Sequence, residues 1–145
     1  MVEADLLNAD SLDKAIKGCD YVVHTASPFP LGAPVDENSI IRPAVDGTVA
    51  VMKACHKYKI KRVVITSSIA AVFEHAPNDR KPVYNESDWS DPKACGVYTK
   101  SKLLAEKAAW DFLQQLPDNE KFELVTVMPG FVQGPTFVYT DFSSG

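Results

Sequence analysis

Long apolar runs are missing from this chain. No stretch approaches the roughly 20 residues that span a bilayer, so a membrane partner is not expected. Basic clusters are nearly missing as well. The densest is Lys57-Tyr58-Lys59-Ile60-Lys61-Arg62, and with a net charge of −4 it reads as the solvated end of a helix. Nucleic acid is therefore not an expected partner. Cysteine is scarce and odd in number: Cys19, Cys55 and Cys95 lack metal-ligand spacing, and nothing adjacent would activate a nucleophile. Reduced thiols and a cytoplasmic location are the simplest expectation, and Glu3 and Asp5 near the start do not read as a signal peptide. Glycine is thin too. The seven stand at 18, 32, 47, 96, 130, 134 and 145, so no Gly-x-x-Gly-x-x-Gly turn occurs anywhere.

What is there is ordinary for a globular protein. The 145 residues are 46% apolar and 23% charged, enough for one core and one domain. Met1 to Leu7 offers a short strand that stops at Asp5. Ser11 can cap a helix to about Lys17, with Gly18 ending it. Residues 20–26 form an apolar run without alternation, the pattern of a strand buried on both faces. His24 within it is expected to be a packed strand residue. Pro28, Pro30, Gly32 and Pro34 then mark a loop. Residues 37–58 have helical periodicity, with a kink at Pro43 or a start just before it. Strands are expected at 62–68 and 122–128, with a mostly irregular stretch from Phe73 to Gly96. Trp89 and Trp110 are expected in the core. Strand and helix in alternation predict an α/β fold, with a parallel sheet and helices on both faces.

The clearest element runs from Val97 to Leu116, uninterrupted by Gly or Pro and bracketed by Gly96 and Pro117. Tyr98, Lys102, Ala105, Ala109, Leu113 and Leu116 share one face of it. A buried stripe that begins with a phenol and an ammonium suggests a partner or ligand at that end. An ammonium one turn from a phenol favours the phenolate, which suits proton exchange with a carbonyl oxygen. A Tyr and a Lys at this spacing are weak evidence alone. However, the carboxyl ends of the expected strands, at Thr25-Ala26-Ser27, Thr66-Ser67-Ser68 and Pro129-Gly130, converge on the same edge, where ligands of parallel sheets lie.

Thr66-Ser67-Ser68, Tyr98-x-x-x-Lys102 and Pro129-Gly130 resemble the extended short-chain dehydrogenase/reductases. The stretches around Tyr98 to Trp110, Val83 to Ser90 and Pro43 to Thr48 are similar to the dihydroflavonol reductase branch of that family. The resemblance implies a partial doubly wound (Rossmann) sheet and an oxidoreductase using NADP or NAD. It implies Tyr98 as general acid, Lys102 as its tuner and the holder of the nicotinamide ribose, and Ser68 as donor to the substrate oxygen. It further implies Asp5 and Leu6 at the adenine, Thr25, Ala26 and Ser27 at ribose and phosphate, Ser67 beside the cofactor, and Pro129, Gly130, Phe131 and Val132 bordering the nicotinamide.

Phe73 stands five residues after Ser68, where the dihydroflavonol-reducing branch tends to carry an amide or acid. The aromatic signature of cinnamoyl-CoA reductases around the Tyr is also absent. A small aldehyde or ketone is the expected substrate class. By the resemblance, residues 1–145 form one partial domain without its Gly-rich βαβ unit and most of its substrate lobe. Two other readings share these residues: an inactive binding or regulatory remnant, and a nucleotide-sugar epimerase or dehydratase.

If the resemblance holds, the strand ending at Ala26 lacks its natural neighbour. Residues 1–145 alone are then expected to self-associate through the edge at Tyr21-Val22-Val23, or to place Met1–Ala4 beside it. NAD(P)H affinity should be millimolar or weaker, about 4 kcal/mol at most. Fluorescence titration with light scattering checks both. A monodisperse monomer that binds NADPH at micromolar concentration overturns the expectation.

Overall fold

A computed structural model describes residues 1–29 and 36–134. The end of the first proline loop and the tail after Gly134 lie outside them. The order is helix α1 (Ala9–Ile16), strand β1 (Tyr21–His24), helix α2 (Asn38–Lys57), strand β2 (Arg62–Thr66), a four-residue helix α3 (Ala70–Phe73), helix α4 (Val97–Gln115) and strand β3 (Glu123–Val127). Short 3-10 turns lie at Pro77–Asp79 and Asp118–Glu120. The three strands are all parallel, in the order β1-β2-β3, with Val22, Val63 and Leu124 in one row and Val23, Val64 and Val125 in the next.

This register decides which face is covered. Val63 is fully buried, and Ile65, Leu124 and His24 are nearly so; all point to the side where α1, α2 and α4 bring Leu12, Ile16, Val51, Met52, Cys55 and Ala109. On the opposite face Tyr21, Val23, Val125 and Val127 are exposed. The α/β class and parallel sheet are as expected. Helices on both faces are not: among the described residues, no helix contributes to a core on the second face. An apolar run such as Val63-Val64-Ile65 has the composition of a doubly covered strand, but composition does not supply the second layer.

Local chemistry corrects other expectations. Met1 to Leu7 is no strand. The Asp5 carboxylate accepts from Leu7 N–H at 2.9 Å and the Asp5 carbonyl from Asn8 N–H at 3.0 Å, folding the segment into a turn. Met1–Ala4 therefore forms no added edge beside β1. The cap of α1 is Asn8, whose side chain accepts from Ser11 N–H at 3.1 Å. Ser11 itself donates its hydroxyl to the Asn8 carbonyl at 2.7 Å. Gly18 follows the helix at φ +84°, the left-handed conformation glycine takes without a steric penalty. Helix α2 begins five residues before Pro43 and continues through it. Trp110 packs against the core, whereas Trp89 is half-buried with the Lys107 ammonium 5.0 Å from its ring centre. No described helix is long and apolar enough to cross a membrane.

The same core governs the thiols. Cys55 is fully buried, and burial, helped by the charge of Cys19, pushes its thiol up to about 12. Cys95 is half-buried and also raised, by burial first and then by Glu74 and Asp91. Cys19 is exposed. Iodoacetamide at neutral pH is expected to modify Cys19 first, Cys95 slowly and Cys55 only in denaturant. Peptide mass spectrometry over time gives the order, and early modification of Cys55 would contradict this core.

Candidate active site

The site is built where β2 and β3 end. Ser67 N–H donates to the Val127 carbonyl at 2.8 Å and Ile69 N–H to the Pro129 carbonyl at 3.1 Å, so the chain leaving each strand is tied to the other. Ser68 follows directly. Its hydroxyl oxygen accepts from Ala70 N–H at 3.2 Å, starting the short α3. Accepting through a lone pair leaves the Ser68 O–H able to donate.

Gly96 is the N-cap of helix α4, and Tyr98 is the helix's second residue. Ser101 donates its hydroxyl to the Tyr98 carbonyl at 2.7 Å, and the Tyr98 ring meets Phe29 edge to face at 5.3 Å. Ser68 and Tyr98 line one cleft of ≈ 500 Å³. Its walls are apolar: Phe29, Ile69, Phe73 and Phe131 are all substantially exposed there. Gly130 and Val132 complete the β3 side.

One turn further along α4, Lys102 is 8% exposed, and its ammonium donates to the Thr66 carbonyl at 3.2 Å. It lines a narrow pocket with His24, Ala26, Ser27, Thr48, Ser67 and Glu106. Burial pulls the lysine below its ordinary range, and the Glu106 charge opposes that. Burial, and then the Lys102 charge, lower His24 to about 4, so the imidazole is neutral at pH 7.

The structure thus gathers most of the residues expected at the site. Ser68, Tyr98, Gly130, Phe131 and Val132 share the cleft, while Ala26, Ser27, Ser67 and Lys102 share the pocket. Pro129 contributes its carbonyl to the strand-end tie. Besides Pro129, three expected residues line neither space: Thr25 is exposed just past β1, Asp5 holds the turn before α1, and Leu6 packs against Gly47 of α2. A Cβ on Gly47 would stand 3.1 Å from Leu6, so glycine permits that close approach. Ser67 and Ser68 differ. The Ser67 hydroxyl is committed to the buried carboxylate of Glu106, which Trp110 Nε1–H also approaches at 3.4 Å. Sequence reasoning passed over Glu106, although it stands four residues after Lys102 on the buried stripe. It also passed over Phe29, whose proline-rich surroundings carry no periodic signal.

The model of the 3-beta hydroxysteroid dehydrogenase/isomerase family matches residues 1–137. The chain belongs to that family. Among curated relatives, it is 41% identical over 141 residues to dihydroflavonol 4-reductase of Arabidopsis thaliana, covering 92% of this chain and 35% of that protein. To tetraketide alpha-pyrone reductase 1 of the same plant it is also 41% identical, covering 94% of this chain and 42% of the relative. Among solved structures, yeast methylglyoxal/isovaleraldehyde reductase Gre2 complexed with NADPH superposes with a TM-score of 0.78 at 36% identity. That match covers 92% of this family member and 44% of the yeast chain. The chain thus spans less than half the length of each of these relatives.

His24 sets a pH dependence on folding. Its folded value of about 4 lies below the unfolded 6.5, so the unfolded chain binds more protons between the two. The stabilisation is complete above pH 6.5 and is lost as pH falls through 4, on the order of 3 kcal/mol over the window. Urea unfolding from pH 4 to 7 is expected to show this rise in stability, and His24→Asn to flatten it. An equal slope in both proteins counts against a buried neutral His24.

Proposed function

We propose that this chain carries the proton-donating part of an NAD(P)H-dependent reductase acting on a small aldehyde or ketone. The observation that carries the reading is the shared cleft: Ser68 and Tyr98 line one apolar space, with Lys102 buried one turn below on the same helix. A carbonyl oxygen between the two hydroxyls would accept a hydrogen bond from Ser68 and the proton of Tyr98. When bound, the nicotinamide supplies the hydride to the carbonyl carbon. An ammonium has three donors, so Lys102 keeps capacity for a ribose hydroxyl beyond its bond to Thr66. Ala26, Ser27, Ser67 and Pro129 to Val132 stand where the ribose and nicotinamide would lie. By the same resemblance Asp5 and Leu6 are assigned to the adenine end and Thr25 to the ribose and phosphate.

The fit is partial. The small and backbone groups at the strand ends suit a ribose and nicotinamide, whereas the pyrophosphate would want a Gly-rich turn at a helix N-terminus. The seven glycines of residues 1–145 do not have Gly-x-x-Gly-x-x-Gly spacing. A second reading is that residues 1–145 bind or regulate without turnover by themselves. Phe29, Phe73 and Phe131 favour a compact apolar substituent on the carbonyl over a polyhydroxylated ring system. Lys100 is not expected to take part, because its ammonium pairs with Glu37 at 3.3 Å.

A chimera separates the readings. Residues 1–134 replace the matching segment of the yeast reductase, and NADPH-dependent reduction of methylglyoxal and isovaleraldehyde is followed. The chimera is expected to turn over. Tyr98→Phe should lower kcat on the order of 10²–10⁴-fold and leave NADPH affinity nearly unchanged. A folded, active chimera whose Tyr98→Phe variant stays within tenfold sinks the role of Tyr98. A folded chimera that binds NADPH without turnover supports the second reading.

A further inference from the structure

Glu106 is among the most completely buried side chains of the chain, at 2% exposure, yet it is a carboxylate. Its direct partners are neutral: the Ser67 hydroxyl donates to Oε2, and Trp110 Nε1–H donates to Oε1 at 3.4 Å. Lys102, one helical turn earlier, is in the mirror situation. Its ammonium is buried and its direct partner is the neutral Thr66 carbonyl at 3.2 Å. A buried ion without an opposite charge is strongly disfavoured, and among the described residues neither has one at hydrogen-bond distance.

Both line the same narrow pocket. Around it, β1 presents His24, β2 presents Ile65, Thr66 and Ser67, and α2 presents Thr48. His24 is the other titratable group lining the pocket, and it is neutral near pH 7 because its value falls to about 4. The cation and the anion of this pocket are therefore Lys102 and Glu106. We propose that Glu106 is a positioning residue of the site, a buried carboxylate that fixes Ser67 and supplies the counter-charge keeping Lys102 protonated beneath the cleft. The opposing pulls of burial and Glu106 on Lys102 agree with this arrangement. A lysine that stayed neutral would neither hold a ribose hydroxyl as a cation nor favour the phenolate of Tyr98.

The inference rests on reading Lys102 as part of the reducing site, but its test follows the lysine's titration instead of turnover. Residues 1–145 carrying ¹³C-labelled lysine are titrated by NMR, with the Lys102 Cε signal assigned by its loss in Lys102→Met. Glu106→Gln is expected to lower the Lys102 midpoint by about one unit or more. Ser67→Ala, which keeps the carboxylate, should move it far less. An unmoved midpoint in Glu106→Gln, or an equal shift in Ser67→Ala, overturns the proposal. If Glu106→Gln fails to fold, the double variant Glu106→Gln/Lys102→Met is expected to fold, because no unpaired charge remains buried. Failure of the double variant to fold overturns the counter-charge as well. Since none of these outcomes reads activity, loss of the reductase assignment and loss of this one are distinguishable.

Discussion

The burial of the Lys102 ammonium against the Thr66 carbonyl is the contact on which the site depends. A lysine at 8% exposure needs an acceptor, and the last residue of the central strand provides one. Holding that bond fixes the rotation of α4 about its axis, because Ala105 and Ala109 must then face inward with it. With the helix phase set, Tyr98 is carried to the mouth of the cleft and Lys100 away from it toward Glu37. The chemistry at the helix start and the packing of its middle are thus one constraint.

The strand ends supply the other half. Because Ser67 and Ile69 donate to carbonyls of the β3 exit, the two neighbouring serines are held in opposite roles. Ser67 lines the pocket and donates a hydrogen bond to Glu106, whereas Ser68 lines the open cleft. Of the two side chains, only that of Ser68 borders the open cleft. The helices meanwhile cover one sheet face, leaving Tyr21, Val23, Val125 and Val127 exposed on the other. Apolar surface of this kind on a parallel sheet is ordinarily covered.

Much of this was legible in the residues. The bracket of Gly96 and Pro117 delimits α4, which ends at Gln115, one residue before the expected Leu116. The runs Val63-Val64-Ile65 and Leu124-Val125 mark β2 and β3, and strand–helix alternation implies the parallel sheet that forms. Tyr98 and Lys102 at one-turn spacing, with small hydroxyl residues at the strand ends, mark the candidate site. Local hydrogen bonding was less legible. The turn at Asp5 and the cap at Asn8 were misread because Asp, Asn and Ser all compete for the same backbone donors.

By itself the sequence determined the order of the strands β1 to β3 and the three longer helices, the parallel class and the stripe that unites Tyr98 with Lys102. Each of these follows from periodicity along the chain, which is a one-dimensional property. Only the tertiary structure decided that Ser67 serves Glu106 while Ser68 faces the cleft, that Lys102 rests on a carbonyl 36 positions earlier in the chain, and that one sheet face stays open. Those facts depend on distances between segments far apart in the chain. Two adjacent serines look alike in sequence and differ only in what the fold puts before them.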